Sequence, residues 1–246
     1  MRIFGDYHTH TIFSRNHHGK STIEENVQIA VQKGLKEIAI SDHGFNHIFF
    51  GVRRKNIPFM KSECERLSKK YGIRVLLSIE SNLISSEGDI DLTDEDKKNF
   101  DIILMGYHKA IKPKRFRDYF FFLNKNLFHT KKQIQKNTDA YIKAITNNKI
   151  NVITHLNVGM PVFVKQVAEV ASRIGTLIEL NGKRINFSEQ DVKDMLETDV
   201  KFIVNSDAHR CTRVGETNLG MNFAIKHNIP LDRIVNIDKL PTFTLN

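Results

Sequence analysis

The 246-residue chain has no tryptophan, two cysteines, five prolines and no long apolar run, and each shortage excludes something. Cys64 and Cys211 stand far apart with no CxxC spacing, which rules out a disulfide framework and points to a reducing compartment. The longest apolar stretches, such as Tyr119-Phe120-Phe121-Phe122-Leu123, are too short to span a bilayer. Arg2 and Asp6 interrupt the start, where a signal peptide would carry its apolar segment. The expectation is a cytoplasmic protein with no membrane partner. No repeat or low-complexity tract is present, and 26% charged with 40% hydrophobic residues is ordinary for a globular chain. This length can bury a full core and is typical of an α/β barrel folding as one unit.

Acidic residues are also in short supply. Lys and Arg number 37 against 28 Asp and Glu, a net charge of +9 that suits anionic ligands, either phosphorylated metabolites or nucleic acid. Much of the excess lies between Lys109 and Lys136, in Lys112, Lys114, Arg115, Arg117, Lys125, Lys131 and Lys132. Phe116, Tyr119, Phe120, Phe121, Phe122 and Phe128 are interleaved with them. The plain expectation is a solvated helical face with a buried aromatic side, or a lid; the alternative is a platform on which bases stack.

What the chain does have is a rhythm. Seven short runs rich in Ile, Val and Leu recur, at Arg2–Tyr7, Glu37–Ile40, Arg74–Ile79, Phe100–Met105, Asn151–Ile153, Thr176–Leu180 and Lys201–Val204. They read as parallel strands covered on both faces. Helical spacing appears between them, at Ile23–Lys33, Pro58–Tyr71, Lys131–Asn147, Pro161–Arg173 and Glu189–Glu197. Ser21-Thr22 before Glu24-Glu25 marks a capped helix start, and Gly34, Gly72 and Gly175 sit where helices should stop. Strands alternating with helices, without a linker, predict a single α/β domain over 1–246. The segment 109–135 breaks the rhythm and is a possible lid or insertion. Gly88–Asp96 is a short excursion.

The polar residues fall at the ends of these runs. The first ends in His8-Thr9-His10, whose imidazoles share a face on an extended strand. The second ends in Ser41-Asp42-His43-Gly44, the third in Glu80-Ser81-Asn82 and the fourth in Gly106-Tyr107-His108. The fifth ends in Thr154-His155, the sixth in Glu179-Leu180-Asn181 and the last in Ser206-Asp207-Ala208-His209. In a parallel barrel these ends form one rim, and that rim carries the active site. Isolated core histidines would explain one or two such positions, not all of them.

With these motifs the chain resembles the polymerase and histidinol phosphatase (PHP) superfamily over most of its length. The resemblance implies a distorted (β/α)7 TIM-like barrel with a trinuclear site. It implies His8, His10, Glu80 and Asp207 at one metal and Glu80, His108 and His155 at a second. The third would take a loop histidine with His43 and His209. His18 is preferred for the loop position because it directly precedes Gly19-Lys20, with His17 as the alternative. Glu80, Asp207 and His209 are the candidate catalytic residues.

The chemistry of the donors agrees. Imidazole and carboxylate without thiolate suit zinc, manganese or iron, so three divalent ions of one of these kinds are expected. Seven histidines with two carboxylates leave such a site cationic and attractive to phosphate. A water held between two ions loses a proton near neutral pH and can attack phosphorus in line. Glu80 can offer one oxygen to each of two metals. Asp42 either orients a neighbouring imidazole or simply caps its loop. Lys20, Arg53, Arg54, Lys183, Arg184 and Arg210 are weaker candidates to clamp the phosphate, and Asn181 to face the substrate. Glu179 is either on that face or a buried structural carboxylate. His129 and His227 are expected on the surface, and His47 in a substrate loop.

The expected activity is hydrolysis of a small-molecule phosphomonoester, with L-histidinol phosphate as the single best substrate. A phosphodiesterase or 3′-end nuclease acting on nucleotides or DNA is the alternative. A non-catalytic nucleic-acid-binding module fits less well, because every ligand position is filled. The amidohydrolase barrel also opens with His-x-His, but it would show eight strands, a metal-bridging lysine and a lone terminal Asp. Oligomeric state leaves no mark on the sequence.

Overall fold

The structure, a computed structural model, describes residues 1–127 and 130–243. Phe128, His129 and the side chain of Lys125 lie outside the described part. Seven strands form one parallel sheet in sequence order. They are β1 (Gly5–Thr9), β2 (Glu37–Ile40), β3 (Arg74–Asn82), β4 (Ile102–Gly106), β5 (Val152–Ile153), β6 (Leu177–Asn181) and β7 (Phe202–Asn205). The two ends of the sheet meet just past β7, where His10 N–H donates to Ala208 O at 2.7 Å and Ala208 N–H to His8 O at 3.2 Å. The result is a nearly closed, distorted (β/α)7 barrel, as expected.

Side-chain alternation splits the core into two layers. On β3, Val75, Leu77 and Ile79 point outward under the helices, while Leu76 joins an interior cluster. That cluster holds Tyr7, Ala39, Leu76, Ile102, Leu104, Val152, Leu177 and Ile203. The next inward positions toward the strand ends are polar, with Glu80 following Leu76 and Ser78, and Glu179 following Leu177. Both faces of each strand are therefore buried, and the hydrophobic runs stop where the site begins. The floor is closed by the C-terminal segment, with Phe243 edge-on to Tyr7 at 5.1 Å between centroids.

Helices cover the outside: α1 (Ile23–Gln32), α2 (Ile57–Tyr71), α3 (Asp94–Lys97), α4 (Phe116–Leu127), α5 (Lys131–Asn147), α6 (Val164–Ile174), α7 (Glu189–Leu196) and α8 (Asn218–Lys226). Thr22 and Glu25 cap α1 reciprocally, and Gly72 (φ 64°) and Gly175 (φ 81°) end α2 and α6 in the left-handed region. Several boundaries shift by a few residues. The first strand starts at Gly5 rather than Arg2, because Phe4 N–H is bonded to Asn236 O at 3.0 Å. The sixth helix starts at Val164 rather than Pro161, because Val162 N–H goes to Asn157 Oδ1 at 3.1 Å and Phe163 N–H to Thr138 Oγ1 at 2.8 Å. Helix α8 carries no predicted counterpart.

The segment 109–135 contains α4. Phe121 and Phe122 face inward, Phe122 stacking on Tyr107 at 6.0 Å, and buried Asp118 accepts Ser86 N–H at 3.1 Å. Phe116, Tyr119, Phe120 and Leu123 lie on the exposed side.

Candidate metal centre

Glu80, pointing inward from β3, is the hub of the rim. Its Oε1 lies 2.8 Å from His155 Nε2 and 3.3 Å from both His8 Nε2 and His108 Nε2. Its Oε2 lies 2.9 Å from His43 Nδ1 and 3.6 Å from His10 Nε2. Asp207 is the second carboxylate, with Oδ1 3.2 Å from His209 Nδ1, 3.5 Å from His10 Nε2 and 3.9 Å from His8 Nε2. His18 Nε2 sits 2.8 Å from His209 Nε2, its ring stacked on Phe50 at 3.8 Å. All the predicted ligand positions thus converge. His17 is exposed, and of the two loop histidines it is His18 that reaches the cluster.

Local backbone features aim these groups. The β1 register shifts between Asp6 and Thr9, which lets adjacent Tyr7 and His8 both face the interior. A Cβ at Gly19 would fall 2.0 Å from Thr11 O, so glycine alone lets the loop fold back to deliver His18. His155 (φ 31°) and Asp207 (φ 52°) adopt left-handed backbone just past β5 and β7. Strain of this sort, of order 1–3 kcal/mol each, persists where surrounding structure enforces it.

Behind the ligands stands a second set of buried groups. Glu179 accepts from His8 Nδ1 at 2.8 Å and from His155 N–H at 3.0 Å, and also from Asn181 Nδ2 and Asn205 Nδ2. His108 Nδ1 meets Asn82 Oδ1 at 2.7 Å, and Asn82 in turn donates to Asp91 Oδ2. Asp42 accepts from Thr11 and Ser14, and Ser14 Oγ lies 3.5 Å from His10 Nδ1. Asp6 accepts from Ser206 and from Gly215 N–H, tying the end of β7 to β1. With Nδ1 committed to such partners, His8 and His108 turn Nε2 toward the site. Period two from Glu80 could have flagged Asn82, and period two from His8 marks Asp6; nothing in the sequence marks Asp91.

Electrostatics keep most of these donors ready for a cation, His8 and His155 being held protonated, against burial, by the carboxylates beside them. Burial pushes the Glu80 and Asp207 carboxyls up, but the surrounding imidazoles outweigh it and hold both well below the usual range. Burial and neighbouring imidazoles hold His10 and His43 well below the ordinary value, and burial with His209 takes His18 to about 4. For His8, burial works downward, but Glu179 and Glu80 raise it well above the ordinary range. Asp42, which has no cation beside it, is pushed up by burial to about 6.

The fit to a metal is visible in atoms left over. His8 Nε2, His10 Nε2 and His43 Nε2 are buried with no hydrogen-bond partner, and His43 Nδ1 and Glu80 Oε2, 2.9 Å apart, have none beyond each other. Each such orphan costs about 1–3 kcal/mol unless another partner satisfies it. Three groups of donor atoms lie within 4.8 Å of one another: His8 with His10 and Asp207, His43 with Glu80 and His108, and His10 with His43 and His209. The first contains three of the four ligands expected at one metal. The others share two members each with the expected sets, His155 lying instead against Glu80 and His18 against His209.

Above the donors opens a cavity of about 350 Å³. Of the weaker candidates, Lys183 and Arg184 line it, and Lys20, Arg53, Arg54, Asn181 and Arg210 do not. Arg54 forks onto Asp96 at 2.9 and 3.0 Å and covers the Phe45 ring. Asn181 points into the ligand network instead, donating to Glu179 and Asp207. His47 lines the cavity beside Phe50, Tyr107, Lys109 and Val158. Its Nδ1 accepts Phe50 N–H at 3.2 Å, so the ring proton is on Nε2. His227 packs on Phe223, away from the cluster.

Residues 6–204 match the family model of the PHP domain. The chain belongs to the PHP domain family. That membership makes it a hydrolase of the metal-dependent phosphoesterase class. It is 30% identical to a probable phosphatase of Caldanaerobacter subterraneus subsp. tengcongensis, over 99% of this chain and 91% of that protein. A probable phosphatase of Shewanella sediminis is 26% identical, over 96% and 90%. Among solved structures, histidinol phosphate phosphatase from Lactococcus lactis subsp. lactis, complexed with zinc, L-histidinol and phosphate, shares the PHP fold. The TM-score is 0.66 at 15% identity, covering 99% of this chain and 98% of that one.

Proposed function

We propose that this PHP domain hydrolyses a small phosphomonoester with three divalent ions of zinc, manganese or iron. His8, His10, Glu80 and Asp207 would hold one, Glu80, His108 and His155 a second, and His18, His43 and His209 the third. The observation that carries this is the set of orphaned, buried donor atoms gathered around Glu80. When bound, the metals supply a water activated near neutral pH and positive charge against the phosphoryl oxygens.

The chain's own residues do the rest. Glu179 and Asn82 fix the rings of His8 and His108, so the donor set is preorganised. Asp207 stays ionised beside the cavity, as a metal-holding carboxylate must. His209 anchors Nδ1 on Asp207 O at 3.0 Å and turns Nε2 toward His18. Lys183 Nζ, 3.9 Å from Asp207 Oδ1, adds a cation where the phosphoryl group would rest. His47 offers an Nε2–H donor from the wall of the cavity. No helix among the described residues is long and apolar enough to cross a membrane, and two free thiols suit a cytoplasmic setting.

L-histidinol phosphate is the first substrate to try, because the solved PHP structure just described carries L-histidinol and phosphate. The exposed aromatic side of α4, with Lys112, Lys114, Arg115 and Arg117 exposed around it, favours a nuclease as the second reading. The test is phosphate release from L-histidinol phosphate, an aryl phosphate and AMP by protein stripped of metal and resupplied with Mn²⁺ or Zn²⁺. Metal-restored release from any of them supports the reading. No release from these three, or from phosphorylated acids such as 3-phosphoglycerate, refutes it.

A further inference from the structure

Building on the phosphomonoesterase reading, we infer that the leaving group of the substrate carries a second anionic group, recognised by Lys109 and Arg184 at the mouth of the metal cavity. The cavity lining has two carboxylates, Glu80 and Asp207, and both belong to the ligand set. It has three side-chain cations, Lys109 after β4 and Lys183 with Arg184 after β6. Lys183 sits deep, 3.4 Å from His209 Nδ1 and 3.9 Å from Asp207 Oδ1, where it serves the phosphoryl group itself. Lys109 and Arg184 are exposed at the mouth and have no ion pair among the described residues.

Around the rim some cations are paired, Arg54 with Asp96 and Lys114 with Asp89, while Arg53, Lys112 and Arg210 have no ion pair among the described residues; what sets Lys109 and Arg184 apart is that they line the cavity. The loop that carries Arg184 is also held in place rather than loose. Asn181 Oδ1 accepts the backbone N–H groups of Lys183 at 2.8 Å and Arg184 at 3.0 Å. The Nδ2 of the same Asn181 donates to Glu179 and Asp207, so the ligand network itself fixes this loop over the rim. A guanidinium so placed, and free of a protein carboxylate, is suited to a carboxylate or phosphate of the ligand.

The walls between floor and mouth are Phe50, Tyr107 and Val158, with the His47 donor among them. They offer contact to a compact organic body and no counter-charge to a cation. A leaving group bearing an ammonium, as L-histidinol does, would place its charge among Lys109, Lys183 and Arg184 with no free carboxylate to receive it. A leaving group bearing a carboxylate or a second phosphate would meet the two unpaired cations instead. The substrate class is therefore a phosphorylated acid or a bisphosphate, in preference to a phosphorylated amine.

Two measurements test this without relying on one variant. Calorimetry on the zinc-loaded protein compares 3-phosphonopropionate with 3-aminopropylphosphonate, which differ in the sign of the remote group and cannot be hydrolysed. The carboxylate is expected to bind at least about tenfold more tightly, with the difference shrinking as salt rises. Kinetics then compare 3-phosphoglycerate, glycerol 3-phosphate, O-phosphoethanolamine and L-histidinol phosphate. The order of kcat/KM should run from acid through neutral to amine, and Lys109→Glu with Arg184→Glu should reverse it. Equal binding of the two phosphonates, or turnover that favours the amines, overturns the inference while leaving the phosphomonoesterase reading intact. No turnover of any ester by metal-loaded protein overturns both.

Discussion

Glu80 touches more of the site than any other side chain, and it is also the residue best announced by the sequence: an isolated acid at the end of an apolar strand. His8 and His10 were equally legible from their spacing, although the register shift that brings Tyr7 and His8 to one side is not. The groups behind them were harder to read. Glu179 sits two residues past an interior leucine and was equally consistent with a structural role, because burial and partner cannot be inferred from period two alone. The structure gives it four donors, two of them from His8 and His155 of the donor set. Glu179→Gln keeps the shape but replaces one accepting oxygen with an amide. Metal affinity, read by competition with a chromogenic chelator, should fall about 10–100-fold. An unchanged affinity would mean that Glu179 only fills space.

At the scale of elements, helix starts and stops were legible wherever a cap or a glycine marked them, as at Thr22, Gly72 and Gly175. They were not legible where side chains elsewhere took up the N–H groups, as before α6, or where no cap exists, as at α8. One contact between elements makes a pH prediction. Glu24 on α1 receives Lys70 at 2.5 Å, Tyr71 at 2.7 Å and Arg66 at 3.1 Å from α2. Lys70 and Tyr71 chiefly pull its carboxyl down to about 2, from an ordinary 4.5. A lowered carboxyl stabilises the folded chain above the unfolded value and loses that contribution as pH falls from about 4.5 toward 2. Urea unfolding of Glu24→Gln should therefore show a smaller loss over that window than wild type, with the gap narrowing in high salt. Parallel acid limbs at low salt would contradict it.

For the whole molecule, the barrel separates stability from chemistry. One end holds the donor set, and the other is closed by Phe243 against Tyr7, whose hydroxyl donates to Glu37 at 2.5 Å, Glu37 also pairing with Arg74 at 2.7 Å. The seven-strand rhythm predicted the barrel, but not this floor, since a C-terminal segment without regular structure carries no periodic signal. Phe243→Ala should cost about 1–3 kcal/mol in denaturant midpoint analysis. It should leave kcat on the preferred ester unchanged, because Phe243 is at the far end from the ligands. A loss of kcat without a loss of stability would show that the two ends are coupled.

The central claim is that the buried donor set around Glu80 is a metal site that hydrolyses phosphomonoesters. It is tested most directly by titrating Mn²⁺ or Zn²⁺ into the stripped protein while following bound metal and phosphate release together. Release is expected to be absent at first, to rise with metal bound per chain, and to stay absent in Glu80→Gln at the same metal concentration. Full release from the stripped protein, or the same metal-dependent release from Glu80→Gln, would contradict the claim.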